Sequence, residues 1–73
     1  MTKFIINKHQ QLNGDFEIHR LDICPCPPET ENQISLGDFN NCHEALIFAI
    51  RRWPELARKI DGCKFCCPEC HHH

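Results

Sequence analysis

Residues 15–20, Asp-Phe-Glu-Ile-His-Arg, alternate polar and apolar with a period of two. A strand with one buried face has that period. Phe16 and Ile18 share one side, which leaves His19 on the other side or at the bend where the strand ends. Upstream, Lys3-Phe4-Ile5-Ile6-Asn7 is short, apolar and β-branched, and Asn13-Gly14 between the two runs is a strong turn dipeptide. A β-hairpin is expected. Gln33-Ile34-Ser35-Leu36 reads as a third short strand that ends at Gly37.

The period then changes. Ala45, Leu46, Ala49, Ile50 and Trp53 recur at helical spacing behind Asn41-Cys42-His43-Glu44, where Asn41 can cap the helix and Glu44 can reach back to complete a capping box. This predicts one amphipathic helix over about 41–53. Pro54 kinks or ends it, with a further turn or two extending to residue 60. Asp61-Gly62 closes that extension and delivers the chain into a C-terminal cysteine knuckle. The expected architecture is α+β: a hairpin, a third strand, one helix and the knuckle, in a single domain over residues 1–73.

With 73 residues and only five Phe and one Trp, the core is thin. Domains of this size bury little more than half of their unfolded surface and commonly need a metal or disulfides as staples. Redox compartment separates those two. Met1-Thr2-Lys3 leads into an apolar run that stops at Asn7, too short for a secretory signal, and no stretch approaches the ~18 apolar residues of a membrane span. A cytoplasmic location is expected, with thiols kept reduced and clustered cysteines read as metal ligands. An odd count of seven cysteines also suits a fully paired disulfide framework poorly. The formal charge of −2 speaks against general nucleic-acid affinity, which depends on neutralising several phosphates.

Four of the seven cysteines lie in two abutting C-x2-C pairs, Cys63/Cys66 and Cys67/Cys70. Each pair can point two thiolates at one ion, which makes half of a tetrahedral zinc site. The other half can come from His19 with Cys24, or from Cys24 with Cys26 in the stiff Pro-rich loop Cys24-Pro25-Cys26-Pro27-Pro28. Adjacent Cys66 and Cys67 seldom serve one metal together, so one C-terminal pair leads. Spacing separates the two pairs only weakly. Gly62 allows Cys63 and Cys66 a tight approach, whereas Pro68 stiffens the Cys67/Cys70 turn and His71 lies beside it.

The helix start Cys42-His43-Glu44-Ala45 and the run Gly62-Cys63-Lys64-Phe65-Cys66-Cys67-Pro68, together with His19 and Cys24, resemble the small zinc module of Ada-type methyl-phosphotriester repair proteins, also found appended to bacterial nucleases. The likeness covers roughly residues 16–70. It implies one zinc ion held by His19, Cys24, Cys63 and Cys66. Two features depart from the pattern: four residues separate His19 from Cys24 where the module has three, and Cys26, Cys67 and Cys70 are additional thiols. Alternative ligands are therefore Cys67, Cys70, His71 and Cys26, including a tail-centred set of Cys63 or Cys66 with Cys67, Cys70 and His71. The whole chain also resembles a group of small bacterial proteins ending D-G-C-x-x-C-C-P-E-C-H, a likeness that brings no activity with it.

Other residues have plainer readings. Cys42 sits on the apolar side of the helix as a small buried hydrophobe, and His43 is exposed in the first turn. His9 is solvated in the hairpin loop, and Phe48 and Trp53 belong in or near the core. Arg51, Arg52, Arg58, Lys59 and Lys64 form a solvated face. His72 and His73 carry no weight, since residues 71–73 can be the start of a tag. No paired carboxylates, triad or phosphate loop is recognisable, so a non-enzyme is expected: a structural zinc module that binds a protein partner, or, with weaker support, nucleic acid. The alternatives are redox or metal-handling chemistry at the surplus thiols, and stapling by disulfides instead of metal.

Overall fold

The computed structural model describes residues 1–12, 14–25 and 27–72. Strands β1 (Thr2–Asn7), β2 (Phe16–Arg20), β3 (Gln33–Phe39) and β4 (Ile60–Gly62) form one mixed sheet in the order β3-β1-β2-β4. One helix, α1 (Cys42–Arg52), packs on it. The class is α+β, as the periodicities predict. No helix among the described residues is long and apolar enough to cross a membrane.

β1 and β2 pair antiparallel with Phe4 opposite Arg20, Ile5 opposite His19 and Ile6 opposite Ile18. Of the predicted turn dipeptide, Asn13 lies outside the described residues. Gly14 has φ +90°, a conformation that glycine adopts without a Cβ penalty. Alternation along β2 sends Phe16 and Ile18 toward the helix, where Ile18 meets Ala45 and Ala49 in the core. Glu17 and His19 therefore occupy the opposite face, with Ile5 beside His19.

Two expectations need correction. β3 does not stop at Gly37. The register against β1 shifts between Phe4 and Ile5, and Gly37, at φ +109°, absorbs the shift as a bulge, so the strand runs on to Phe39. The further turn or two of helix expected from Pro54 is present as a separate six-residue 3-10 helix, Pro54–Lys59, with Pro54 first. It ends in a strand that periodicity did not reveal: Ile60–Gly62 adds to the free edge of β2 in parallel, with Ile18 beside Gly62. Phe48, expected in or near the core, is 43% exposed, its ring 5.5 Å from that of Phe39. Trp53 is half-buried against the core, as expected.

The helix start follows its sequence. The Asn41 side chain accepts from the Glu44 amide at 3.0 Å, and Glu44 Oε1 accepts from the Asn40 amide at 3.1 Å. Ala45 and Ala49 are fully buried. Alanine at both positions lets the helix lie close to the sheet and brings the Cys42 end of α1 over the C-terminal knuckle.

Candidate metal centre

The side chains of one cluster converge from three segments. A tight turn after β2, with the Cys24 amide donating to Arg20 O at 3.0 Å, folds Cys24 back until its Sγ is 3.3 Å from His19 Nδ1. β4 supplies the second half. The Cys63 amide donates to Ile18 O at 2.9 Å, which continues the parallel ladder and sets Cys63 alongside His19. The Cys67 amide then closes a turn onto Cys63 O at 2.7 Å, bringing Cys66 back toward the same point, with its Sγ 3.8 Å from His19 Nδ1. The ligating atoms of His19, Cys24, Cys63 and Cys66 all lie within 4.8 Å of one another. Three of the four residues are buried and Cys24 is half-buried. Four N and S donors at this spread suit one tetrahedrally coordinated ion.

Backbone amides surround the cluster. Arg20 N donates to Cys66 Sγ at 3.2 Å, and the amides of Phe65 and Cys66 are directed at the Cys63 sulfur. Such donors stabilise thiolates bound to a cation. Without a cation, burial dominates: it pushes the Cys63 thiol up against the pull of those amides. The Cys66 thiol is held well above its ordinary range by its hydrogen bond with Cys67 and by burial. Burial lowers the His19 pKa, with Glu17 opposing. Burial thus favours Cys63 and Cys66 as thiols and His19 as a neutral imidazole, and a divalent cation displaces the thiol protons on binding. His19 Nδ1 faces the sulfurs while Nε2 lies 3.6 Å from Glu17 Oε1, so the ring has a carboxylate behind it.

Gly62 is where the knuckle meets the sheet. A Cβ there would stand 2.7 Å from Cys70 Cβ and 2.8 Å from Cys67 O, so only glycine allows the tail to cross β4 this closely. The tight approach expected at Gly62 is thus made to Cys70 and Cys67, and not to Cys63.

The alternative ligands are dispersed. Cys67, fully buried, sits beside Cys66 outside the four-donor group. His71 Nδ1 is 3.0 Å from Asp61 Oδ2 and 3.0 Å from Gly62 O, bracing the tail on β4. Cys26 lies outside the described residues. The tail-centred set is therefore not brought together: Cys70 leaves it for the other face of the knuckle, where it forms a disulfide with Cys42. His43 Nδ1 is 3.3 Å from Cys70 Sγ there, and Glu69 Oε1 is 3.0 Å from Cys42 Sγ.

Cys42, Cys70 and His43 form a second group whose donor atoms lie within 4.8 Å of one another. Sequence reasoning missed this group. Cys42 is buried as expected, but it has a partner 28 residues away. The one local signal was a Cys-His pair at a helix start. No family model, curated protein or solved structure matches the chain.

Proposed function

We propose that the chain is a small structural zinc module, in which one ion held by His19, Cys24, Cys63 and Cys66 fastens the C-terminal knuckle to the hairpin. The observation that carries this reading is the convergence of four N and S donors, from β2, the turn after it and the knuckle, within 4.8 Å. The resemblance to the Ada-type module implies the same four residues. Structural zinc contributes on the order of 10–16 kcal/mol of apparent binding free energy, enough to hold so thin a core. The ion is a staple in this reading, and the work of the module is to present a surface. The outer side of α1 offers Ile47 and Phe48, both exposed, with Arg51 and Arg52 following. An apolar patch edged by cations suits a protein partner with an acidic rim better than the evenly spaced phosphates of nucleic acid.

The test is chelation of the fully reduced protein, followed by far-UV and near-UV circular dichroism. Loss of both spectra, restored by one equivalent of zinc, is expected; unchanged spectra in the metal-free reduced chain would overturn the reading. Stapling by a disulfide is the second reading, favoured by the Cys42–Cys70 bond. It is tested by alkylating the unreduced protein, which leaves Cys42 and Cys70 unmodified if that bond persists in solution.

A further inference from the structure

The surroundings of Cys42 and Cys70 do not suit a plain disulfide. A disulfide sulfur carries no hydrogen, yet Glu69 Oε1 sits 3.0 Å from Cys42 Sγ, where a thiol would donate to it. Between a carboxylate oxygen and an oxidised sulfur, that contact sets lone pair against lone pair. On the other sulfur, His43 Nδ1 approaches to 3.3 Å. One imidazole and two sulfurs thus converge within 4.8 Å, with the Glu69 carboxylate against one of the sulfurs, and a divalent cation satisfies the three N and S donors at once. Their placement is firm where it has to be: Cys42 and Cys70 are 1% exposed each, and Cys42 is held at the start of α1. His43 and Glu69 are exposed, so the ion has an open path from solvent.

We infer that the dithiol form of this pair is a second zinc site, with Cys42, His43 and Cys70 as ligands and the exposed Glu69 side chain, already against Cys42, turning in as the fourth. Zinc binding forms two metal–thiolate bonds and releases the two thiol protons, and no electron is transferred. The disulfide is the same pair less two electrons and two protons, so it and the metal exclude each other. A phosphine reductant opens it by supplying two electrons, becoming the phosphine oxide with an oxygen taken from water. This site lies on the helix-facing side of the knuckle, across from the His19 centre, and does not depend on that centre being a zinc site.

The experiment is native mass spectrometry of the full phosphine-reduced chain with zinc as the only added metal, paired with chelator competition for each equivalent. Two zinc ions per chain are expected, falling to one in Cys42→Ser. Because His43 and Glu69 are exposed, His43→Ala and Glu69→Gln keep the fold. Each should weaken one equivalent at least tenfold and leave the other unmoved. A zinc count that Cys42→Ser leaves unchanged overturns the proposal, and so do equivalents whose affinities are unchanged in both variants. Failure of the His19 centre shows separately, as a zinc count that Cys66→Ser leaves unchanged.

Discussion

Two cysteine clusters sit on opposite sides of one knuckle, and they are built differently. The His19 centre draws on β2, the turn after it and the segment leaving β4, and it joins positions 47 residues apart. Three of its residues are buried, and its sulfurs lie among backbone amides that are themselves fixed by the sheet. The Cys42 cluster joins a helix start to the end of the tail, and His43 and the neighbouring Glu69 stand in solvent. The first holds four donors within 4.8 Å of one another and the second three, with Glu69 beside Cys42. Enclosure separates them: a buried centre must be filled for the surrounding backbone to be worth ordering, whereas a half-open one can gain or lose its ion while the fold persists.

Breaking each cluster in turn gives the largest contrast. Cys66→Ser removes a sulfur from the enclosed centre and leaves other buried thiols without their cation. The chain should lose its far-UV and near-UV spectra even with zinc present. Cys42→Ser should remain folded, with its melting midpoint lowered by about 5–15 °C, a loss of roughly 1–2 kcal/mol at this chain length. Equal unfolding of the two variants would erase the distinction between the clusters.

Gly62 tests what the clusters share. In Gly62→Ala the new methyl meets Cys70 Cβ at 2.7 Å and Cys67 O at 2.8 Å, and the second of these is backbone that has little room to give. Such overpacking costs about 1–3 kcal/mol. It should lower the melting midpoint and weaken metal binding at both clusters together. A variant that melts like the unaltered chain would mean that the tail lies farther from β4.

How much of this was legible beforehand follows from the range of each signal. The hairpin and α1 are written in local periodicity, and the Asn41 cap is written in a four-residue motif, so these could be read directly. β4 could not: three residues are too few to show a period, and Ile60–Gly62 becomes a strand because β2 has a free edge beside it. The third strand reads as ending at Gly37 because glycine there looks like a terminator, whereas it serves as a bulge. Among the thiols, the convergence of His19 and Cys24 with Cys63 and Cys66 was expected from a resemblance and not from spacing. The separation of Cys67 from Cys70 depends on which side of Gly62 each falls, a fact of three-dimensional packing. For the same reason Cys42 was read from its helical face alone.

A smaller effect should fall on one cluster only. Asn41→Ala removes the side chain that accepts from the Glu44 amide and costs about 1 kcal/mol of helix stability. The loosened first turn carries Cys42 and His43, so binding at the second cluster should weaken by a few fold. The His19 centre draws none of its four donors from that turn, and its affinity should stay put. Competition titration of the two equivalents separates these outcomes, and a loss shared equally by both would show that the clusters are coupled through the knuckle.

The finest adjustment lies behind His19. Glu17 Oε1 is 3.6 Å from Nε2, longer than a hydrogen bond, so the carboxylate acts on the ring through charge alone. Burial lowers the His19 pKa below its ordinary 6.5 while Glu17 raises it. Glu17→Gln therefore leaves a less basic imidazole, and the affinity of the His19 centre should fall about threefold to tenfold, less than the ten- to hundredfold of a directly bonded partner. The pH dependence has a definite sign. Below 6.5 the unfolded, metal-free chain carries a proton on His19 that the folded chain does not, so the loaded fold weakens as pH falls through that value. That adds about one proton, or tenfold in affinity per pH unit, to the dependence already set by the thiols. The position of the bend belongs to the unfolded chain, so Glu17→Gln should shift the whole affinity curve down without moving it. Zinc competition from about pH 7.5 to 5.5 measures both quantities, and an affinity unmoved at neutral pH would remove Glu17 from the site.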